Sequence, residues 1–473
     1  MRRARKTSPR YPTEIEAILV VVLVVVVSVA VVSVAPRLVG TNRIIVNGTL
    51  QIGPVVARPP ANFWTVDAHA VKIADSGLSA LINQTPITTF RYGGGADVTN
   101  VTAGLTYSDN GTASPVAGPA DSAFVTFCGW RHCHAIFAVP GEINDPGAVA
   151  LSVRYVETTL GFHPDYWSIG NEPQTWTHFD IPWVKWRGTD ASTPTPQEYA
   201  VSVQRDIAAM RSVDPTIRVI GIQSSQGGDP LAAWLVPLLG MNGPNIAAVA
   251  YHSYPANMGS PDGTEAGFLS AAFRLGFPHD YLETEAEVRA ACPKCAIPVF
   301  VDEFNGAGVG ADNAFDQGYA DVPIVAAAIA GGLQQNVSQF SFFDLQGVGT
   351  LSAFGLLGPQ GTLRPSYYLY STFFRNLSVG AIQNTTVLGG PGQVAAVVGS
   401  NATTVSLMVS NANGTVGLRL GLNGSSFPLT GKGIVWAWDP SLPFPSVSRF
   451  AAGSLPASWV IPPEGVLLID VAT

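Results

Sequence analysis

Charged residues are scarce in this chain. Asp, Glu, Lys and Arg together supply 12% of its 473 residues, and 25 basic residues against 33 acidic ones give a net charge of −8. Disordered chains and coiled coils carry more charge, so the composition excludes both classes. An acidic surface also repels phosphate backbones, so we expect no nucleic-acid partner for the folded part.

Cysteine is scarce as well. The four cysteines form two close pairs, Cys128 with Cys133 and Cys292 with Cys295. In an oxidising exterior this spacing favours two local disulfides, each joining a helix end to the next strand. One zinc site built from all four thiolates is the alternative that the spacing leaves open. A redox-active pair at Cys292 and Cys295 is disfavoured, because the surrounding sequence lacks a thioredoxin-like pattern.

Apolar residues and turn formers are abundant. Hydrophobic residues make up 47% of the chain, which also contains 49 glycines and 36 prolines. The chain can therefore bury a sizeable core and turn often. Its length is roughly three times that of a typical domain, although a barrel uses about 250 residues as one unit. We expect one large domain and a smaller one.

The longest uncharged apolar run covers residues 17–35, which is about long enough to cross a bilayer as a helix. Five basic residues lie before it, within residues 1–16. This asymmetry predicts a cytoplasmic basic tail at 1–16, a transmembrane signal anchor at 17–35, and a single-pass protein of the cell membrane whose remaining chain lies outside. The alternative is a cleaved signal peptide, which would give a secreted protein.

Ten Asn-x-Ser/Thr sequons follow the apolar run, in polar stretches that are typical of surface loops. Their number supports an exterior location and predicts a glycoprotein. Any single Asn-Gly-Thr stretch is equally well explained as a turn. The sequons begin at Asn47, Asn83, Asn100, Asn110, Asn336, Asn376, Asn384, Asn401, Asn413 and Asn423.

Short apolar strands alternate with helical patterns through most of the chain, which predicts an α/β protein. Asp145 and Thr195, each followed by a proline, are suited to begin two of the helices. Eight parallel strands separated by helices close into a barrel, so we predict a catalytic (β/α)8 TIM barrel at 63–375. The helix candidates include 145–160, 196–212 and 283–291, and the strand candidates are 63–69, 87–92, 134–139, 165–170, 217–223, 246–252, 297–302 and 338–344.

After about residue 376 the pattern changes to alternating strands and turns. This predicts an antiparallel β-sandwich domain at 376–473. Residues 43–57 have the same pattern, so we expect 43–62 to supply N-terminal strands that join this β domain. The strand candidates of the domain are 394–399, 403–410, 416–421, 433–438 and 465–471.

Polar side chains follow nearly every predicted barrel strand, at the end where barrel enzymes have their active sites. Glu172 and Glu303 are the most informative, because a carboxylate directly after a strongly apolar strand is costly unless it is paired or used. Simple salt bridges at the barrel rim are the alternative for both. The full set is Asp67, His69, Arg91, Tyr92, Glu142, Asn144, Asn171, Glu172, Gln223, His252, Tyr254, Asp302, Glu303 and Asp344.

Four motifs in this set resemble those of the clan A glycoside hydrolases, in the order and on the strands that the clan uses. Trp-Ser-Ile-Gly-Asn-Glu-Pro at 167–173 resembles the strand-four motif with the acid/base glutamate, and Val-Asp-Glu-Phe-Asn at 301–305 resembles the strand-seven motif with the nucleophile. Arg91 is similar to the strand-two arginine, and Tyr254 to the strand-six tyrosine. Within the clan, the chain is most similar to glycoside hydrolase family 79, the β-glucuronidase and heparanase family.

This resemblance implies a retaining glycoside hydrolase with Glu172 as acid/base residue and Glu303 as nucleophile. A retaining pair of carboxyl groups lies about 5 to 5.5 Å apart, whereas an inverting pair lies roughly 6.5 to 9.5 Å apart. We therefore expect the shorter separation, and we expect neither a metal nor a cofactor. The implied substrate-binding residues are Arg91, Asn171, Tyr254, His252 and Trp176.

The chain departs from the clan pattern at the end of strand eight, where many members have a tryptophan. This chain has Phe-Phe-Asp at 342–344. The loop of residues 176–187 instead combines aromatic rings with cations, which suit stacking on a sugar and pairing with a uronate. These loop residues are Trp176, Trp183, Trp186, Lys185 and Arg187.

The predicted function is an extracytoplasmic retaining β-glycosidase that hydrolyses oligo- or polysaccharides, and the family 79 resemblance favours a β-glucuronidase. A non-catalytic carbohydrate-binding or envelope protein on the same barrel is the alternative. Carbohydrate is the expected partner, together with the membrane that holds the anchor. The sequence leaves the sugar, the linkage and the oligomeric state open.

Overall fold

The computed structural model describes residues 44–68, 76–92, 105–107, 113–115, 119–141, 144–175, 194–225, 227, 229–258, 264–275, 277–308, 315–347, 353–422, 427–428 and 430–473. The predicted basic tail at 1–16 and the predicted anchor at 17–35 lie outside these ranges. Among the helices within them, none combines the length and the apolar character needed to cross a membrane.

Eight parallel strands close into a barrel, as predicted. Each strand pairs with the next in chain order, and the last pairs with the first, so the sheet has no free edge. The structure bounds each strand within three residues of its predicted ends. The strands are β2 (Trp64–Asp67), β3 (Thr89–Tyr92), β6 (His134–Val139), β7 (Tyr166–Ile169), β8 (Val219–Ser224), β9 (Ile246–Ser253), β10 (Val299–Phe304) and β11 (Phe340–Phe342).

Helices surround the barrel, and two of them begin where the sequence predicts. Asp145 accepts hydrogen bonds from the backbone of the first turn of α3, and Thr195 and Glu198 form a reciprocal capping box on α4. α3 ends earlier than predicted and continues as a π-helical turn over Tyr155–Thr159. The helices are α1 (Ser76–Ile82), α2 (Pro119–Arg131), α3 (Pro146–Arg154), α4 (Pro196–Val213), α5 (Asp229–Asn242), α6 (Glu265–Leu275), α7 (His279–Ala291), α8 (Asp321–Gln334) and α9 (Pro365–Tyr368).

A second, nine-stranded sheet lies outside the barrel. Its N-terminal strand β1 (Ile44–Ala57) pairs antiparallel with β12 (Ala381–Gly389). The predicted β domain is present, but it is built from one sheet instead of two. This sheet curls so that its two halves share one apolar core. The other strands are β13 (Val394–Ser400), β14 (Thr404–Asn411), β15 (Val416–Gly421), β16 (Gly433–Trp438), β17 (Ser446–Phe450), β18 (Ser458–Ile461) and β19 (Val466–Ala472), and a separate hairpin contains β4 (Leu105–Tyr107) and β5 (Ala113–Pro115).

The curled sheet packs against the barrel through α8, most of whose residues are buried. Gln334, the last residue of α8, connects the two parts with its side-chain amide. Its Nε2 donates to the carbonyl of Ala396 at 2.9 Å, and its Oε1 accepts from the backbone N–H of Thr385 at 2.7 Å. The hydroxyl of Ser410 adds a bond to the carbonyl of Pro323 at 2.6 Å.

Both cysteine pairs form disulfides, as predicted. The Cys128–Cys133 bridge joins the end of α2 to the start of β6, with 5.0 Å between the Cα atoms. The Cys292–Cys295 bridge closes the connection from α7 to β10, with 5.3 Å between the Cα atoms. Because each sulfur is bonded within its own pair, the four-thiolate zinc site is wrong.

Candidate active site

Arg91 lies at the centre of the site, near the carboxyl end of β3, and its side chain is completely buried. A buried guanidinium must be paired, and here its donors reach acceptors from four other strands or strand ends. Nη1 donates to Asp67, the last residue of β2, and to Glu303 on β10, the latter at 2.5 Å. Nη2 donates to Asn171 at 2.5 Å and to Gln223 on β8 at 3.1 Å. Arg91 therefore ties together the polar ends of five barrel strands.

Glu303, on β10, is 3% exposed, and each of its carboxylate oxygens has a donor. Oε1 accepts from Arg91, and Oε2 accepts from the hydroxyl of Tyr254 at 2.8 Å. Both oxygens are held by groups on other strand ends, so the carboxylate is fixed in orientation. A carboxylate fixed in this way is suited to nucleophilic attack.

An irregularity in β10 explains how Asp302 and Glu303 face the same cluster. Consecutive side chains of a regular strand point to opposite faces. Here Arg91 Nε lies 3.5 Å from Asp302 Oδ2, and Arg91 Nη1 bonds Glu303. The pairing of β10 with β9 shifts register between Val301 and Glu303, and such an irregularity re-aims side chains.

Glu172 follows β7, and its backbone φ is +47°, in the left-handed region. A residue other than glycine rarely adopts this conformation, and it is frequent at functional sites. Its backbone N–H donates to the carbonyl of Gln223 at 2.9 Å, which holds the turn. The hydroxyl of Thr175 donates to Oε2 at 3.3 Å. The side chain of Glu172 is 17% exposed, whereas that of Glu303 is 4% exposed, so Glu172 is more accessible to a ligand.

His252, on β9, lies between the two glutamates, with its ring fully buried. Nδ1 is 2.6 Å from Glu172 Oε1 and 3.2 Å from Glu303 Oε2. One oxygen of each glutamate and one nitrogen of His252 all lie within 4.8 Å of one another. The two carboxyl groups therefore face each other closely, and the short separation predicted for a retaining pair stays a prediction.

The charges of this cluster act on one another. Burial lowers the pKa of His252, but the negative charges of Glu303 and Asp302 and the hydrogen bond to Glu172 raise it to about 9. Burial raises the pKa of Glu172, but the hydrogen bond and charge of His252 lower it further, to below its ordinary value. Because the pKa of His252 is raised and that of Glu172 is lowered, the proton of this pair resides on His252 at neutral pH.

Asp302 and Asp67 balance the buried cations. Burial raises the pKa of Asp302 to about 6, although the charges of Arg91 and His252 act in the opposite direction. Burial also raises the pKa of Asp67. The pKa of Arg91 lies above its ordinary value, because the charges of Asp67, Glu303 and Asp302 outweigh its burial. Arg91 therefore remains charged.

Some of the other sequence-predicted residues lie within the described ranges and some lie outside them. Asn171 is buried, and because its Oδ1 accepts from Arg91, its Nδ2 faces away from that guanidinium. Trp176 and the rest of loop 176–187 lie outside the described residues, as do His69 and Glu142. The sequence reading missed Thr175, and a single threonine after a glutamate carries no signal that could have identified it.

The end of strand eight contains Phe343 and Asp344. The ring of Phe343 meets that of Tyr254 edge to face, with 6.1 Å between the ring centres. Asp344 is fully buried, and burial, together with the charge of Asp67, raises its pKa well above the ordinary value. An aromatic side chain therefore lies beside Tyr254, although strand eight lacks the tryptophan that many clan members have there.

Two clusters within the described ranges have side chains suited to bind a metal ion. One is the cluster of Glu172, His252 and Glu303, and the other comprises Glu157, His163 and Asp214, away from it. In the first cluster, the carboxylates already have protein donors. The predicted independence from metal stays a prediction.

No protein-family model matches the chain, and no curated protein matches it. Solved structures do. A family 51 α-L-arabinofuranosidase from Bifidobacterium longum superposes with a TM-score of 0.65 at 16% identity, covering 89% of this chain and 99% of that one. An α-L-arabinofuranosidase from Thermotoga maritima gives a TM-score of 0.68 at 13% identity, covering 90% and 100%. A family 44 xyloglucanase from Paenibacillus polymyxa gives 0.64 at 10% identity, also covering 90% and 100%.

At these low identities the likeness shows the fold. The chain has the barrel-plus-sheet architecture of these glycoside hydrolases along nearly their whole length. Family 79, which the motifs most resemble, is not among the matches described above.

Proposed function

We propose that this protein is a retaining glycoside hydrolase in which Glu303 is the nucleophile and Glu172 the acid/base residue. The observation that carries the proposal is the facing pair of carboxyl groups at the carboxyl end of the barrel, with His252 between them. The two groups have different surroundings. Glu303 is held by Arg91 and Tyr254, whereas Glu172 is more exposed and shares a proton with His252.

In the first step, an oxygen of Glu303 attacks the anomeric carbon of the sugar, and the bond from that carbon to the leaving oxygen breaks. Glu172 protonates the leaving oxygen, which departs as an alcohol. His252 supplies this proton, because its Nδ1 is 2.6 Å from Glu172 Oε1 and its pKa is raised to about 9. The product of this step is a glycosyl ester on Glu303.

In the second step, Glu172 is ionised and takes a proton from a water molecule. The water oxygen attacks the anomeric carbon, and the ester bond to Glu303 breaks. Arg91 and Tyr254 stabilise the departing carboxylate by charge and by a hydrogen bond. The sugar leaves with its original anomeric configuration, after two inversions.

The finer assignment is a β-glucuronidase related to family 79. The motif resemblance supports it, as do Lys185 and Arg187, whose positive charges suit a uronate carboxylate. A second candidate is α-L-arabinofuranosidase activity, favoured by the structural likeness to two such enzymes. Both activities use the same retaining chemistry and differ in the sugar bound.

The proposed location is outside the cell membrane, with residues 17–35 as anchor. The two disulfides support an oxidising exterior. The apolar run and its basic flank support the anchor. Secretion after cleavage of this segment is the alternative, and extraction of the membrane fraction at high salt distinguishes the two.

A panel of aryl glycosides tests the function. Aryl β-D-glucuronide and aryl α-L-arabinofuranoside are assayed beside β-glucoside, β-xyloside and β-galactoside, with the Glu303→Ala variant as control. We expect release of the aryl group from one sugar class, absent in the variant, and a product of retained configuration by NMR. Absence of turnover on every substrate would favour the non-catalytic carbohydrate-binding alternative.

A further inference from the structure

A groove of about 770 Å³ lies between the barrel and the curled sheet, away from the catalytic carboxylates. Its walls come from α6, from the end of α8, and from strands β12 and β13. α8 returns the chain from the catalytic end of the barrel, so its last residue, Gln334, lies near the opposite end. The volume falls within the roughly 300 to 1,000 Å³ typical of ligand sites.

The groove is lined by uncharged side chains, among the residues that the structure describes there. Four polar ones are exposed, and their amide or hydroxyl groups make no hydrogen bond to other described parts of the chain: Gln335, Asn336, Asn384 and Thr386. Phe273 and Pro278 add an apolar strip. Amides and hydroxyls beside apolar surface suit a neutral, hydroxyl-rich ligand, which has both hydrogen-bonding groups and apolar faces.

Two residues of this groove begin sequons, Asn336-Val337-Ser338 and Asn384-Thr385-Thr386. Both asparagines are exposed, so a sugar attached to either has room beside it. Asn336 ends the turn after α8, and Asn384 lies on β12 across the groove. Two attachment points on facing walls are a relationship that only the folded chain creates.

Four other described sequons differ, because their asparagine side chains already make hydrogen bonds within the chain. Asn401 and Asn413 accept backbone N–H bonds in local turns. Asn376 donates its Nδ2 to the carbonyl of Thr372, and Asn83 accepts from Arg131. Asn47, exposed on β1, has an unengaged amide but lies outside the groove, which makes it a matched control.

We propose that Asn336 and Asn384 are N-glycosylation sites and that the first sugars of their glycans lie in this groove. The proposal rests on the exterior location proposed above and is independent of the catalytic assignment. The co-reactant is a lipid diphosphate-linked oligosaccharide. The asparagine Nδ2 forms a bond to the anomeric carbon, the bond from that carbon to phosphate breaks, the lipid diphosphate leaves, and the amide loses one proton to a base.

Mass spectrometry of the full chain, purified from cells that export it, tests the attachment. Enzymatic release of glycans in heavy-oxygen water converts each modified asparagine to a labelled aspartate. We expect label at both Asn336 and Asn384. An unlabelled asparagine at either position, with or without label at Asn47, would overturn the proposal.

Thermal unfolding tests whether the first sugars of the glycans pack in the groove. The double variant Asn336→Gln with Asn384→Gln is compared with Asn47→Gln, each made with glycans and in cells that add none. We expect the double variant to lower Tm by about 2 °C more in the glycosylated than in the unglycosylated material, because the φ of +54° at Asn336 disfavours glutamine in both, and we expect no such difference for Asn47→Gln. An equal loss of Tm with and without glycans would refute the packed glycan. Aryl glycoside turnover on the same samples shows separately whether the catalytic proposal stands.

Discussion

His252 Nδ1 lies 2.6 Å from Glu172 Oε1, and the same nitrogen lies 3.2 Å from Glu303 Oε2. This one imidazole therefore contacts both the proposed acid/base residue and the proposed nucleophile. Its hydrogen bond and positive charge lower the pKa of Glu172. The proton lies on His252 rather than on Glu172, because the acidic groups Glu303, Asp302 and Glu172 surround the buried imidazole and raise its pKa.

Replacement of Glu303 by alanine should abolish turnover on every substrate, by at least about 10⁴-fold, because no glycosyl ester can form. Added azide or formate can occupy the vacated space and attack directly. We expect it to restore activity with a product of inverted configuration, identified by NMR. Wild-type activity in Glu303→Ala would overturn the assignment of the nucleophile.

Glu172→Ala should behave differently. Turnover of substrates with poor leaving groups should fall by about 10²- to 10⁴-fold, the usual contribution of a general acid. With a 2,4-dinitrophenyl glycoside, which needs no protonation, the first step should survive and the glycosyl-enzyme should accumulate, visible as an added mass. Azide should then give a product of retained configuration. A product of inverted configuration would contradict the assignment of Glu172 as the acid/base residue.

The contact between His252 and Glu172 predicts the alkaline limb of the pH profile. The pKa of His252 is raised to about 9, so the proton that Glu172 passes on is present below that pH and lost as pH rises through it. We expect kcat/KM of the wild type to fall near pH 9 on substrates that need protonation. In His252→Gln, the hydrogen bond and charge of the imidazole are lost, and burial, Thr175 and Arg91 remain to set the pKa of Glu172. The alkaline limb should therefore move to lower pH.

A 2,4-dinitrophenyl substrate is the control for this profile, because its leaving group needs no proton. Its kcat/KM should show a much weaker alkaline limb in both proteins. An identical alkaline limb in wild type and His252→Gln would contradict the proton-sharing role.

The raised pKa of His252 also affects the free energy of unfolding. The charged imidazole stabilises the native state fully below its unfolded pKa of about 6.5, and this contribution is lost as the pH rises toward 9.

Removal of metal ions should leave activity unchanged. The carboxylates of Glu172 and Glu303 have Arg91, Tyr254 and His252 as partners, and the proposed steps use only these groups and water. Dialysis against a chelator, followed by the aryl glycoside assay, measures this. A loss of kcat that added Zn²⁺ or Mn²⁺ reverses would instead assign the cluster of Glu172, His252 and Glu303 as a metal site.

Local sequence was enough to predict much of this protein. The eight barrel strands follow from short apolar runs that end in polar residues, since a strand buried on both faces needs such a run. Asp145 and Thr195 begin helices because their side chains satisfy N–H groups a few residues away. The disulfides also join residues that are close in sequence. Each of these features depends on neighbours along the chain.

The curled sheet was harder to predict. Strand β17 was missed because four of its five residues are exposed, which leaves no alternation of apolar and polar residues to detect. β18 is also largely exposed. Both are held by backbone pairing, with β16 and β15 respectively, and such pairing depends on the partner strand rather than on side-chain pattern.

The site shows the same division. The sequence alone identified Glu172, Glu303 and Arg91 as polar residues at strand ends. It could not show that an irregular register turns both Asp302 and Glu303 toward Arg91, or that the ring of His252 separates the two glutamates. Glu172 and Glu303 are 131 positions apart in the chain (303 minus 172). Their distance and their protonation depend on barrel closure, because only the closed barrel brings these strand ends together and excludes water from their charges.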